Sequence, residues 1–161
     1  MRILENVNKT CYKIATINEL GKWKLGSLVA SFLAFPLIIA LCILAHLSIV
    51  LFHWALILGM ISLLVCIHFA LRFDLENARS AIVLDKVMGL MLAFWAVPFR
   101  WRIMIFGFLL FYIFNNVKTP TYNKFIFKME KLPGVLGVVL PDLFSGLLVN
   151  ISLQVMLWAL G

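Results

Sequence analysis

Two short stretches of this sequence place a carboxylate four residues before a glycine, within otherwise apolar sequence. Asp85 precedes Gly89 in the first stretch, and Asp142 precedes Gly146 in the second. Residues four apart lie on the same face of a helix, so each carboxylate would stand one turn from a bare patch of backbone. A charged group in an apolar segment is costly and usually has a function. The pattern raises the hypothesis that the two faces form one site.

Few other residues in the chain could contribute chemistry to such a site. Asn115 is the first of an amide pair, and Lys86 and Lys118 are lysines beside apolar runs. Carboxylate and amide oxygens suit a hard cation such as Mg²⁺, and a lysine can hold a phosphate as a point charge. These residue types indicate a phosphate-handling site at a membrane interface. A structural interpretation stays open beside it, in which Asp85 caps a helix and Asp142 pairs with a basic residue.

The composition is typical of an integral membrane protein. The 161 residues are 64% hydrophobic and 13% charged, and their mean hydropathy is +1.06, whereas soluble domains are about 45–50% apolar and about 25% charged. The formal charge of +7 fits basic residues that flank membrane segments and attract anionic lipid. Because these residues flank apolar runs and form no Arg-rich tract, nucleic acid is not an expected partner. The three scattered cysteines predict no zinc site and no disulfide framework.

The apolar runs predict an all-α fold, with about four to five apolar helices in a membrane-embedded bundle. Residues 25–71 contain no charged residue and are too many for one span, so they are divided into helices over 26–46 and 50–71. The turn between them is expected near His46–His53. The last apolar run predicts a helix over Val135–Leu160, with Asp142 facing the protein interior.

Residues 87–114 allow two interpretations, because Arg100 and Arg102 interrupt an apolar run. One is a single kinked helix that buries both arginines. The other is a hairpin of helices over 86–98 and 103–115, each under about 20 Å long. The hairpin is preferred because it exposes the arginines at the turn and keeps the lysine-rich segment 116–133 on the same side as the basic N-terminus.

The remaining segments are predicted to lie at the membrane surface. Residues 1–24 form a basic N-terminal segment, with a short amphipathic helix over Cys11–Leu20 that lies on the membrane. Residues 25–161 form a single membrane-embedded domain. A short surface helix is expected over Tyr122–Lys131, before the last apolar run.

Several sequence blocks resemble the bacterial phosphatidylglycerophosphatase A family. Trp23–Leu28 is similar to that family's G-T-x-G-S-L, and Ile82–Gly89, I-V-L-D-K-V-M-G, resembles I-V-I-D-E-V-V-G. Phe111–Lys118 is similar to F-R-F-F-D-I-x-K-P, and Gly134–Gly146 to G-G-x-G-I-M-L-D-D-V-x-A-G. The order and approximate spacing of the blocks agree over about residues 20–150, which is most of the chain.

The resemblance implies a Mg²⁺-dependent phosphatase of the bacterial inner membrane, with several spans and a site that faces the cytoplasm. Such an enzyme removes the terminal phosphate of phosphatidylglycerophosphate, a phospholipid substrate, to give phosphatidylglycerol. Carried over by position, Asp85 and Asp142 would be catalytic and would bind the metal, with Asn115 as a further metal ligand. By the same resemblance Lys118 would lie near the substrate phosphate. Lys86 departs from the family pattern, and we expect it to contact the substrate phosphate as a second lysine.

Three carboxylates of the family pattern are replaced in this chain. Lys86 stands where the family has Glu, Asn115 where it has Asp, and Pro141 where it has the first Asp of D-D. At about 5 Å and an effective dielectric near 20, a lysine repels a divalent cation by roughly 7 kcal/mol before screening. Three outcomes stay open: an altered metal shell, a lysine that replaces the metal at the phosphate, or a non-enzymatic lipid-binding or structural membrane protein.

Overall fold

The computed structural model describes residues 2–17, 26–73, 81–116 and 120–160. Within those residues the chain forms helices and no strands. The helices are α1 (Arg2–Thr16), α2 (Gly26–Leu47), α3 (Ile49–Phe73), α4 (Leu84–Ala93), α5 (Trp101–Asn116), α6 (Pro120–Glu130) and α7 (Val135–Leu160). The all-α bundle predicted from the apolar runs is confirmed.

Two helices, over Ile49–Phe73 and Val135–Ala159, are long and apolar enough to cross a membrane. Shorter apolar helical stretches cover Phe32–Leu47 and Trp101–Asn115. Large apolar side chains along α3 are exposed, including Leu51, Trp54 and Leu58. Such a surface is unfavourable in water and favourable in hydrocarbon. The architecture is therefore that of a helical membrane bundle.

The short helix α4 lies at the centre of the bundle and positions the site. Almost all of its side chains are buried, and it packs most extensively against α7 and also against α2. Contacts along α4 and α7 follow a constant offset: Gly89 meets Gly146, and the side chain of Asn150 bonds to the carbonyl of Ala93, 57 residues earlier. Because the offset is constant along both helices, α4 and α7 run parallel to each other.

The hairpin prediction for residues 87–114 is confirmed, with different helix ends. α4 ends at Ala93 rather than residue 98, and residues 94–100 form a turn and an extended segment before α5. Gly89 lies against Phe111, and Gly107 lies against Phe94, so α4 and α5 are antiparallel. α5 is longer than expected, with 16 residues, or about 24 Å. Its N-terminal extension reaches into the segment of exposed arginines.

The predicted bounds of the N-terminal helix are wrong, and the prediction also leaves out the packing of this helix against another helix. The helix spans Arg2–Thr16 instead of beginning at Cys11, and Ile17 follows with a positive φ. Tyr12, Ala15 and Thr16 are buried, and the Tyr12 ring lies 5.4 Å from the ring of Phe73 on α3. The helix packs along α3 as well as presenting an exposed face, because α3 supplies an apolar partner that composition does not show.

The other helix predictions agree closely with the structure. The chain turns at Ser48 between α2 and α3, inside the expected interval, and α6 spans Pro120–Glu130 instead of 122–131. α7 has the predicted bounds. The described cysteines are free thiols. The division of the chain into a segment 1–24 and a domain 25–161 stays a prediction.

Candidate functional site

The site is organised around the point where α4 and α7 touch through their glycines. A Cβ atom added at Gly146 would collide with the backbone carbonyl of Gly89, and one added at Gly89 would lie 2.5 Å from the carbonyl oxygen of Asp142. No other residue type allows so close an approach of two helix backbones. Because both glycines lie one turn beyond an aspartate, the contact aligns the two Asp-x-x-x-Gly motifs.

Asp85 and Asp142 consequently converge on a single ammonium group. Lys86 Nζ lies 3.6 Å from Asp85 Oδ1 and 3.6 Å from Asp142 Oδ2. The two carboxylate oxygens are therefore at most twice that distance apart. Both aspartates are buried, and 19% of the Lys86 side chain is exposed. The two motifs thus meet in one cluster, and Lys86 stands within that cluster. That the cluster is a functional site stays a prediction.

Asn115 joins the same cluster from the C-terminal end of α5. Its Nδ2 donates a hydrogen bond of 2.8 Å to Asp142 Oδ1. The other oxygen of that carboxylate faces Lys86, so Asp142 has a polar partner on each side. Four of the five residues predicted for the site are thus brought together by α4, α5 and α7. The fifth, Lys118, lies outside the described residues.

The chain before α4 holds Asp85 in place through the N-terminal helix. The backbone N–H of Val83 donates a hydrogen bond of 3.0 Å to the carbonyl of Ala15 at the end of α1. Val83 is the N-cap of α4 without a side-chain cap bond, and Asp85 Oδ1 instead accepts a bond of 2.8 Å from the backbone N–H of Lys86. Asp85 therefore bonds within the first turn of α4 but is not the helix cap that the structural interpretation expected. The other half of that interpretation is confirmed, because Asp142 pairs with Lys86.

Two polar residues of α7 that sequence reasoning missed hold the opposite end of α4. Asn150 Nδ2 donates to the carbonyls of Ala93 and Trp95, at 3.1 and 2.8 Å, and Gln154 Nε2 donates to that of Ala96 at 3.3 Å. These bonds satisfy carbonyls that the end of a helix leaves without partners. The sequence signal for these two residues is the presence of amide side chains in the last apolar run, one and two turns after Gly146. They fix the register of α4 on α7 and thereby the position of Asp85.

The electrostatics of the cluster are set by burial. Asp85 lies on α4, outside Ile49–Phe73 and Val135–Ala159, the helices of the described residues that are long enough to span a membrane. Burial raises the pKa of its carboxyl well above the usual value, and the nearby charge of Asp142 raises this pKa further, while Lys86 opposes both effects. When Asp85, Asp142 and Lys86 are all ionised, the cluster carries two negative charges and one positive charge.

The arrangement does not fit a Mg²⁺ ion held by the two aspartates. Such an ion lies about 2.1 Å from its oxygen ligands, which would put it within about 6 Å of Lys86 Nζ. At that distance the repulsion is at least about 5 kcal/mol at an effective dielectric near 20, before screening. Among the described residues, no group of three or more acidic, histidine or cysteine side chains could hold a metal. Glu130, the remaining acid near the α7 start in sequence, is exposed at the end of α6.

Fold and site together define a class of protein: a helical membrane bundle with a buried acid–lysine cluster where two helices touch through glycines. A comparison with known families makes the class specific. Residues 13–157 match the family described as phosphatidylglycerophosphatase A, and because the match covers nearly the whole chain, the protein belongs to that family. No curated protein and no solved structure matches this chain. The family resemblance of the sequence blocks is thereby confirmed.

Proposed function

We propose that this protein is a phosphatase that removes the terminal phosphate of phosphatidylglycerophosphate and releases phosphatidylglycerol. Family membership supports a hydrolase that acts on a phospholipid. The single observation that carries the proposal for this chain is the convergence of Asp85, Asp142 and Lys86 at one point. A carboxylate base that activates water and a cation that binds phosphate are two groups that promote hydrolysis of a phosphate ester.

The proposed chemistry is attack of a water molecule on phosphorus. Asp85 and Asp142 orient the water and accept its proton, and the bond between phosphorus and the glycerol oxygen breaks as the new bond forms. The carboxylic acid formed in this way returns the proton to the leaving glycerol oxygen, so the products are inorganic phosphate and phosphatidylglycerol and both carboxylates are regenerated. Lys86 and Lys118 contact the phosphate oxygens and stabilise their developing charge. Asn115 keeps Asp142 oriented through its amide hydrogen bond.

The proposed location is the bacterial inner membrane, with several spans and the cluster at the cytoplasmic face. The long apolar helices and the family support a membrane protein. The cytoplasmic orientation rests on the lysines within segments 9–13 and 124–131, because Lys and Arg are enriched in cytoplasmic segments. This orientation gives the site access to a lipid made on that side.

A second candidate function is a non-enzymatic lipid-binding or structural membrane protein. The observation in its favour is that the polar partners in the cluster satisfy one another: Asp142 faces both Lys86 and Asn115. A buried ion pair of this kind joins α4 to α7 whether or not it performs chemistry. Three carboxylates of the family pattern are replaced by Lys86, Asn115 and Pro141, and their loss also fits this alternative.

Phosphate release from phosphatidylglycerophosphate by the purified full chain distinguishes the two candidates. We expect Asp142→Asn and Lys86→Met to lower the rate by about 100-fold or more, since each removes a base or a charge-stabilising group. Glu5→Gln and Lys9→Met are matched controls, because both side chains are exposed on α1. They should leave the rate unchanged. Release at the same rate from wild type and Asp142→Asn would exclude the catalytic role of the cluster.

A further inference from the structure

The position of Lys86 bears on what neutralises the carboxylate pair. Its Nζ is the same distance, 3.6 Å, from one oxygen of Asp85 and one oxygen of Asp142. The side chain is mostly buried, and if it left the cluster, two buried carboxylates would lose the positive charge that faces them. Removal of one partner of a buried ion pair is far less favourable than keeping it. The ammonium group therefore belongs to the architecture of the site.

The coordination chemistry of the cluster also fits an ammonium group. Two carboxylates are a usual number of protein ligands for Mg²⁺, so the group that opposes a divalent cation here is the fixed positive charge of Lys86 beside them. An ammonium group carries three N–H donors, so it can face two carboxylates and still donate to a phosphate oxygen. About a fifth of the Lys86 side chain is exposed, so the residue is not sealed off from a ligand.

We propose that the Lys86 ammonium group takes the place of a divalent cation between Asp85 and Asp142, so that the site handles a lipid phosphate monoester without a bound metal ion. The role given to the phosphate rests on the proposed function. The exclusion of the metal rests on the geometry and the charge of the cluster. In this chain the Lys86 side chain itself carries the positive charge that lies between the carboxylates. An acidic residue at the same position would have to bind a cation to bring such a charge into the site.

Direct metal binding tests the proposal without reference to activity. The probe is Mn²⁺, which substitutes for Mg²⁺ and whose free hydrated form is counted by electron paramagnetic resonance. We expect the full-length wild type in neutral detergent micelles to show no saturable site. Lys86→Met removes the charge at similar side-chain length and should bind one Mn²⁺ per chain. The Kd of this variant for Mn²⁺ should be lower, by about 100-fold or more, than any Kd that the wild type shows.

Two further variants identify the position of that ion. Lys86→Arg keeps the positive charge and should behave as the wild type does. The double variant Lys86→Met with Asp142→Asn removes a carboxylate and should lose the Mn²⁺ gained by the single variant. A saturable wild-type site that disappears in Asp142→Asn would overturn the proposal, as would a folded Lys86→Met protein without a site. If Lys86→Met does not fold, wild type and Asp142→Asn still decide the question.

Phosphate release with and without a chelator separates this inference from the proposed function. If both hold, wild-type release continues undiminished in excess EDTA. Release that requires Mg²⁺ overturns the metal replacement and leaves the phosphatase in place. An absence of release under both conditions overturns the proposed function, while the Mn²⁺ measurement still supports or overturns the exclusion of the metal by Lys86.

Discussion

The glycine contact between α4 and α7 gives the sharpest test of how the site is positioned. In Gly146→Ala, the new Cβ would collide with the backbone carbonyl of Gly89, which belongs to a buried helix and cannot rotate away. Ordinary carbon contacts are about 3.5–4.0 Å. The two helices must therefore separate by roughly 1 Å or more, which also moves Asp142 away from Asp85 and Lys86.

The expected cost follows from overpacking and from the loss of the backbone contact. Overpacking of a close-packed site costs about 1–3 kcal/mol, and alanine regains up to about 1 kcal/mol of helix propensity over glycine. We expect Gly146→Ala to lose about 1–2 kcal/mol of stability. Because a shift of about 1 Å in a catalytic group can cost about 100-fold in rate, phosphate release should fall far more than stability does.

Gly59→Ala on α3 is the matched control for this substitution. Its Cβ would meet the Met91 side-chain end at 3.1 Å, and that flexible end can move aside. Thermal unfolding in detergent, followed by tryptophan fluorescence, should show Gly59→Ala at least about as stable as wild type and Gly146→Ala clearly less stable. A Gly146→Ala protein with wild-type stability and wild-type phosphate release would refute the role of the glycine contact.

Two further substitutions test the elements that hold α4. Asn150→Leu removes the amide that bonds to the carbonyls of Ala93 and Trp95, so thermal unfolding should show a loss of about 1–2 kcal/mol; no loss would mean that the amide does not fix α4. Tyr12→Ala removes a buried ring packed on Phe73 and should lower the unfolding temperature by an amount equivalent to about 3 kcal/mol. An α1 that only rested on the membrane surface would tolerate this change.

The helices could be predicted from the sequence because their signals are contiguous. The bounds of α7 and the turn at Ser48 follow from uninterrupted apolar runs, and the break around Arg100 follows from charge in such a run. The bounds of the N-terminal helix are harder to predict. Its packing depends on α3, and no pattern within residues 1–24 reveals that partner.

The residues of the site could also be chosen from the sequence, whereas their arrangement could not. Acids are rare in this chain and costly in apolar segments, so Asp85 and Asp142 are conspicuous, and Asn115 stands out as the first of an amide pair. Asn150 and Gln154 were missed because an amide near the end of an apolar helix has many possible partners. Their bonds to α4 exist only because α4 and α7 run parallel to each other.

The sequence by itself determined that this is an apolar helical protein with two Asp-x-x-x-Gly motifs and a lysine after the first aspartate. Only the tertiary structure decided that the motifs lie side by side and that Lys86 stands between both carboxylates. The physical reason is the distance along the chain over which each kind of interaction acts. Hydropathy and helical spacing act between neighbours in the chain, whereas the glycine contact joins residues far apart in sequence and sets the distances on which the chemistry depends.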